Sequence, residues 1–235
     1  MKPLIAAMAL LMLGGCAATG QSPWGGFSSG SCSKLSSEQE LALNLADDMA
    51  NDGKLHASLA NLQNLSDALP QVRQRKARAY RLLGRTEAEP LYRSLVGTCM
   101  AAAGEHGLGQ LAAARGDNAL AMAHMQRAAQ LAPTDEKIRN DLGVVYLNQL
   151  RLEDARFEFM TAIELKQSDS LAAVNLVTLL IYQNNWGQAA KVVGQLGLSP
   201  EQVNEAQARA QKLRGPSPQA RKVAAVSDDL PLMIK

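Results

Sequence analysis

A pattern of small and large residues recurs every 34 positions through the middle of the chain. Leu108-Gly109 returns as Leu142-Gly143, Ala121 as Ala155, Met125 as Phe159 and Ala128 as Ala162. One more step of 34 reaches Leu176, Ala189, Val193 and Leu196. A step of 63 back from the first block reaches Leu45-Ala46, Ser58, Leu62, Leu65 and Pro70, the last matching Pro133. A period of this length describes one supersecondary unit that cannot bury its apolar face alone and must stack on its neighbours. Within a unit, Gly109, Gly143, Ala121 and Ala155 are small enough for two helices to approach closely, and Met125, Phe159 and Val193 fill the space between them. Gly116 suits the turn, with Asp117 as a cap. Pro133 cannot continue a helix, and Thr134 or Asp135 can cap the next. Aromatics make up 4% of the chain and the 47% hydrophobic content is mostly Ala and Leu, which favours helices over sheet.

This pattern resembles the tetratricopeptide repeat (TPR) family, in which Leu then Gly or Ala marks the first helix, Ala–large–Ala the second, and Pro closes the repeat. The resemblance implies an all-α, right-handed superhelix of about five helix pairs with a C-terminal capping helix. The expected frames are 39–72, 73–101, 102–135, 136–169 and 170–203. The frame 73–101 is the shortest. It opens on the unusually basic RQRKARAYRLLG, with Gly84 at its turn and Gly97-Thr98 ending its second helix early. Ser199-Pro200-Glu201 opens a further polar helix over 200–214, suited to capping the array, and Gly215 stops it. A loose tail, 215–235, follows.

The N-terminal residues carry a different signal. Lys2 precedes the apolar run Leu4–Leu13, which is too short to span a bilayer and has the length of a signal-peptide core. Leu13-Gly14-Gly15-Cys16 resembles the bacterial lipobox, which implies cleavage after residue 15 and lipidation of Cys16. Several acyl chains together anchor a protein stably. Ala17 stands where an Asp would imply inner-membrane retention, so the expected location is the outer membrane, facing the periplasm. Residues 16–38 are rich in Gly and Ser and read as a flexible tether, with Trp24 and Phe27 within it. The periplasm permits disulfides. A bond between Cys32 and Cys99 would enclose residues 33–98 and pin the tether to the short second repeat, contributing about 4 kcal/mol in the chain-entropy treatment.

Catalytic chemistry is not expected. His56, His106 and His124 lie at no metal-ligand spacing, and no phosphate loop, nucleophile elbow or zinc-protease motif occurs. Gly107-Leu108-Gly109 belongs to the repeat. Asp47-Asp48 and Asp228-Asp229 read as solvated charge. A formal net charge of +2 gives no field for nucleic acid. The expectation is a protein that is not an enzyme and has no cofactor beyond the covalent lipid on Cys16.

In the family, fixed first-helix positions face a concave groove. Carried over, the third repeat offers Ala103, His106, Gln110, Ala113 and Ala114. The fourth offers Lys137, Asn140, Val144, Leu147 and Asn148, and the fifth Leu171, Val174, Thr178, Ile181 and Tyr182. Only Lys137 is basic in this set. The resemblance therefore implies an apolar groove with amide rims for an amphipathic or extended segment, anchored at Val144, Leu147, Ile181 and Tyr182. The overall plan resembles the repeat lipoproteins of the tight-adherence (Flp) pilus apparatus. That implies a pilotin-like protein whose partner is an outer-membrane secretin or another pilus component. A lipid-anchored scaffold for peptidoglycan or other envelope enzymes shares the plan, as does an accessory for outer-membrane-protein insertion. Because Cys16 lies outside every repeat frame, Cys16→Ser is expected to keep full helicity by circular dichroism while the protein moves from the membrane to the soluble fraction. Retention in membranes, or lost helicity, would contradict the lipobox reading.

Overall fold

Helix signals in the sequence meet their partners one by one. In the computed structural model, which describes residues 31–167 and 170–215, Ser36 accepts from Gln39 N and opens α1 (Ser37–Asn51) with a full capping box. The second helix of that pair is α2 (Leu55–Leu62). Then come α3 (Pro70–Leu82) with α4 (Ala88–Arg93), α5 (Ala101–Ala114) with α6 (Asn118–Leu131), and α7 (Glu136–Asn148) with α8 (Leu152–Leu165). The fifth pair is α9 (Ser170–Tyr182) with α10 (Trp186–Leu196), and α11 (Pro200–Arg214) ends the array. Asp117, Asp135 and Asn185 cap α6, α7 and α10 through their side chains, and Ser199 with Gln202 builds a capping box on α11. The described residues are all-helical and form a TPR superhelix of five pairs plus a capping helix. None of their helices is long and apolar enough to cross a membrane.

The turn inside each pair needs a left-handed residue. Gly84 and Gly116 supply it at φ 67° and 78°, whereas Leu150 and Asn184 adopt φ 58° and 60° in the later pairs. For Leu150 that conformation costs on the order of 1–2 kcal/mol, so the repeat geometry overrides local preference.

Packing inside a pair rests on small residues facing large ones. A Cβ built on Gly143 would lie 2.6 Å from the ring of fully buried Phe159, and one on Gly109 2.9 Å from Met125. The same helix α5 meets α4 through Gly107, where a Cβ would lie 2.2 Å from the Tyr92 ring, and through Gly104, 2.8 Å from the Tyr92 carbonyl oxygen. The fifth pair has Val177 where the third and fourth pairs have glycine. Its second helix, α10, accordingly buries only Ala189, with Val192, Val193 and Leu196 half-exposed against the core. Three apolar clusters run in series along the array: around Leu43 and Leu62, around Ala77 and Tyr92, and the largest from Ala112 to Ala210.

The second pair starts earlier than the frame 73–101. Pro70 is the first residue of α3, where its fixed φ and missing N–H are harmless, rather than the close of the first repeat. The first pair is shortened to match, since α2 stops at Leu62. Cys32 and Cys99 are joined by a disulfide with their Cα atoms 5.2 Å apart, tying the segment before α1 to the turn before α5. The expected signal peptide, Cys16, Trp24, Phe27, the tether up to residue 30 and the tail from residue 216 lie outside the described residues.

Adding one methyl group separates the two kinds of glycine. Gly143→Ala is expected to lower stability by about 1–3 kcal/mol through overpacking on Phe159. Gly194→Ala, in the last turn of α10 with nothing within 4 Å of its Cβ position, is expected to raise stability by about 0.4–1 kcal/mol. Chemical denaturation measures both, and equal effects would mean that the α7–α8 crossing is not tight.

Candidate partner-binding groove

The first helices of successive pairs lie side by side and line one continuous groove. Its N-terminal part is a cleft of about 610 Å³ between α1, α3, α5 and α7, and its C-terminal part is one of about 580 Å³ between α7, α9 and α11. Asn140, Asp141 and Leu171 border both, so the two parts are joined.

A chain of polar contacts forms the floor. Gln110 Nε2 donates to Asp141 Oδ2 at 2.8 Å, and His106 Nε2 lies 2.7 Å from the same oxygen. Burial alone would raise the Asp141 pKa, but the bonds from His106, Gln110 and Asn140 outweigh it and hold the carboxyl below its ordinary range. An ionised carboxylate only accepts, so His106 Nε2 carries the proton. Asn140 Nδ2 donates to Asp141 Oδ1 at 3.1 Å, Asn175 Nδ2 to Asn140 Oδ1 at 2.8 Å, and Arg209 Nη1 to Asn175 Oδ1 at 2.7 Å. Four first-helix layers, α5, α7, α9 and α11, are thus linked by one network.

A second set of polar contacts lies behind the floor. Glu105, beside His106 on α5, turns away from the groove and binds His124 Nδ1 at 2.6 Å and Arg127 Nε at 3.0 Å. Arg139 meets Glu158 at 3.0 Å, and burial, the larger influence, pushes the Glu158 pKa up. These pairs join first helices to second helices. His124 is therefore a half-buried partner of Glu105, while His56 is exposed. Among the described residues no group of three or more His, Cys, Asp or Glu side chains could hold a metal ion.

The structure brings His106, Gln110 and Asn140 together at the floor and places Val144 and Asn148 along the C-terminal wall. The expectation for the fifth repeat is corrected in part. Val174 and Ile181 are buried and border neither cleft, whereas Thr178, and Leu147 of the fourth repeat, border the C-terminal cleft although they too are almost fully buried. Tyr182 is half-buried, with the Arg214 guanidinium 5.9 Å from its ring centre. The cause is α11, which packs along α9 as the first helix of a further repeat would. Arg214 donates to the Tyr182 carbonyl oxygen at 3.0 Å, and Gln202 donates to Ser170 Oγ at 2.7 Å. Leu213 of α11 shares the remaining apolar wall with Val144 and Leu171.

The expected apolar character is corrected as well. Gln74, Arg78 and Arg81 of α3 and Asp47 and Asn51 of α1 line the N-terminal cleft, and Lys212 lines the other. Asp47 is not plain solvated charge, since Arg75 Nη2 lies 2.7 Å from it. The sequence held a signal for the α3 residues. With Pro70 as the first helical position, Gln74, Arg78 and Arg81 fall at places 5, 9 and 12, the same places that His106 and its equivalents occupy.

No family model matches the chain. The TPR repeat-containing protein PA4299 of Pseudomonas aeruginosa is 40% identical over 232 residues, which cover 97% of this chain and 92% of that protein. The chain belongs to the TPR repeat-containing proteins. Among solved structures, Pseudomonas aeruginosa PilF superposes with a TM-score of 0.58 at 14% identity, over 80% of this chain and 96% of that one. A thermophilic TPR protein of Thermus thermophilus, TTC0263, superposes with a TM-score of 0.56 at 16% identity, over 74% and 98%. Both likenesses are of fold. TPR arrays are in general surfaces for protein partners rather than catalysts, and the groove is where this one offers its concave face.

Because Leu147 and Ile181 are interior, replacing both with Glu is expected to unfold the α7–α11 region. Each buried uncompensated charge costs on the order of 3–5 kcal/mol. Circular dichroism and thermal melts would show it, and a double variant with native helicity would contradict the burial of both side chains.

Proposed function

We propose that the protein is a lipid-anchored periplasmic adaptor of the outer membrane, similar to the lipoprotein TadD of the tight-adherence (Flp) pilus apparatus. In this reading it acts like a pilotin: its groove holds a segment of a secretin, or of another pilus component, and assists that partner's assembly. The observation that carries the reading is the continuous groove from α1 to α11, with a floor fixed by hydrogen bonds across four of its helices and walls left for a partner. Two features support the setting. Leu13-Gly14-Gly15-Cys16 supplies a lipobox-like anchor site, and the Cys32–Cys99 disulfide suits an oxidising compartment. The anchor would confine the groove to a thin layer beside the membrane, so that a membrane-bound partner meets it at high effective concentration.

The test is a photo-crosslinking residue at position 110 of the full chain, expressed in its own host. Irradiation is expected to give an adduct containing the secretin, and deletion of the gene is expected to reduce secretin multimers in the outer membrane. Adducts with cell-wall enzymes and unchanged secretin multimers would transfer the protein to the scaffold class.

A further inference from the structure

We propose that the groove selects an acidic segment, one whose apolar side chains seat against Val144, Leu171 and Leu213 and whose carboxylates reach Arg78, Arg81 and Lys137. This rests on the groove being the partner site and adds the chemistry of what occupies it.

The N-terminal cleft carries an excess of positive charge, because two of its three lining carboxylates are neutralised by cations from outside it. Its three carboxylates are already matched. Asp47 is held by Arg75 at 2.7 Å, Glu136 by Lys166 at 3.2 Å, and Asp141 by His106, Gln110 and Asn140. Arg75 and Lys166 satisfy these carboxylates from outside the cleft lining. The cations that do line it are left over. Arg78 reaches Asp47 only at 3.6 Å and otherwise bonds the neutral Asn51 side chain. Arg81 donates to the Tyr92 hydroxyl at 3.4 Å and makes no ion pair among the described residues. Lys137 is exposed and likewise unpaired among them, since the neighbouring Glu136 is engaged by Lys166. In the C-terminal cleft Asp141 is the one carboxylate and Lys212 a further cation without an ion pair among the described residues. Cations set in a concavity focus a positive potential along it.

The apolar portion lies at the other end. Leu171 is 47% exposed, and Val144 and Leu213 stand beside it over buried Leu147. Leu171 borders both clefts, so one segment can place apolar residues there and continue past Lys137 toward Arg81. A basic segment would meet unmatched cations of its own sign, which is costly at a close interface. A purely apolar one would leave those cations under it without a partner.

Fluorescence anisotropy on the full chain in detergent tests this with three short labelled peptides. They share one apolar half of Leu, Ile and Val, and carry Glu, Gln or Lys in the other half. The Glu peptide is expected to bind about tenfold more tightly than the Gln peptide at low salt, and the Lys peptide most weakly. Added salt should narrow the gap. The pair Arg81→Glu and Lys137→Glu, both at partly or fully exposed positions and checked for native helicity, is expected to reverse the order of the Glu and Lys peptides. Val144→Asn should weaken all three alike. Equal affinity for the three peptides would overturn the acidic preference and leave the groove as a partner site. Failure of all three to bind would overturn both.

Discussion

The contact between a glycine on one helix and a large side chain on the next sets the dimensions of this protein. At Gly143 and Phe159, and again at Gly109 and Met125, there is no room for even a methyl group. Two helices brought that close bury their facing surfaces with few side chains, and so a chain poor in aromatics can still build a core. The contrast inside the molecule is instructive. Val177 takes the glycine's place in the fifth pair, and α10 is the helix that buries least of itself against its partner. Uniform spacing in the third and fourth pairs keeps α5 and α7 parallel enough to share a groove floor.

That floor is polar and largely self-satisfied. Buried amides and carboxylates are tolerated only when hydrogen-bonded, and here each layer satisfies the next, from Asp141 through Asn140 and Asn175 to Arg209. The network fixes the stagger of successive repeats, because a slip of one residue would strand several polar groups at once. It also commits many of the floor's polar atoms to partners inside the protein. A partner held in the groove would therefore meet mainly the walls, which are the side chains of α3 on one side and of α7 and α11 on the other.

Much of this was legible in the sequence, for a physical reason: close helix packing demands small and large residues at fixed offsets, and those offsets survive where other identities drift. The groove was read less well, and each miss has its own cause. Pro70 has two structural uses, as the end of one repeat or the first residue of the next helix. Reading it as an end moved the second frame by three residues and took Arg78 out of the groove positions. The fifth-repeat residues were misjudged because position counting on one repeat takes no account of what stacks on it. Only the placement of α11 reveals that Val174 and Ile181 are covered and that Thr178 keeps no more than a small edge at the cleft. The buried pairs Glu105–His124 and Arg139–Glu158 stand at equivalent positions 34 residues apart, but the acidic partner changes helix from one repeat to the next, so a search for recurring residue types passes over them.

The disulfide changes how the molecule would carry load. Cys32 precedes α1 and Cys99 lies just ahead of α5. Tension applied to the chain before residue 32 passes through the two sulfurs directly into the third helix pair. The first two pairs hang on the covalent path as a closed side loop and bear none of it. A protein held from its N-terminal side and pulled by a partner would stretch from α5 onward, while α3, with its two groove arginines, stays slack and keeps its shape.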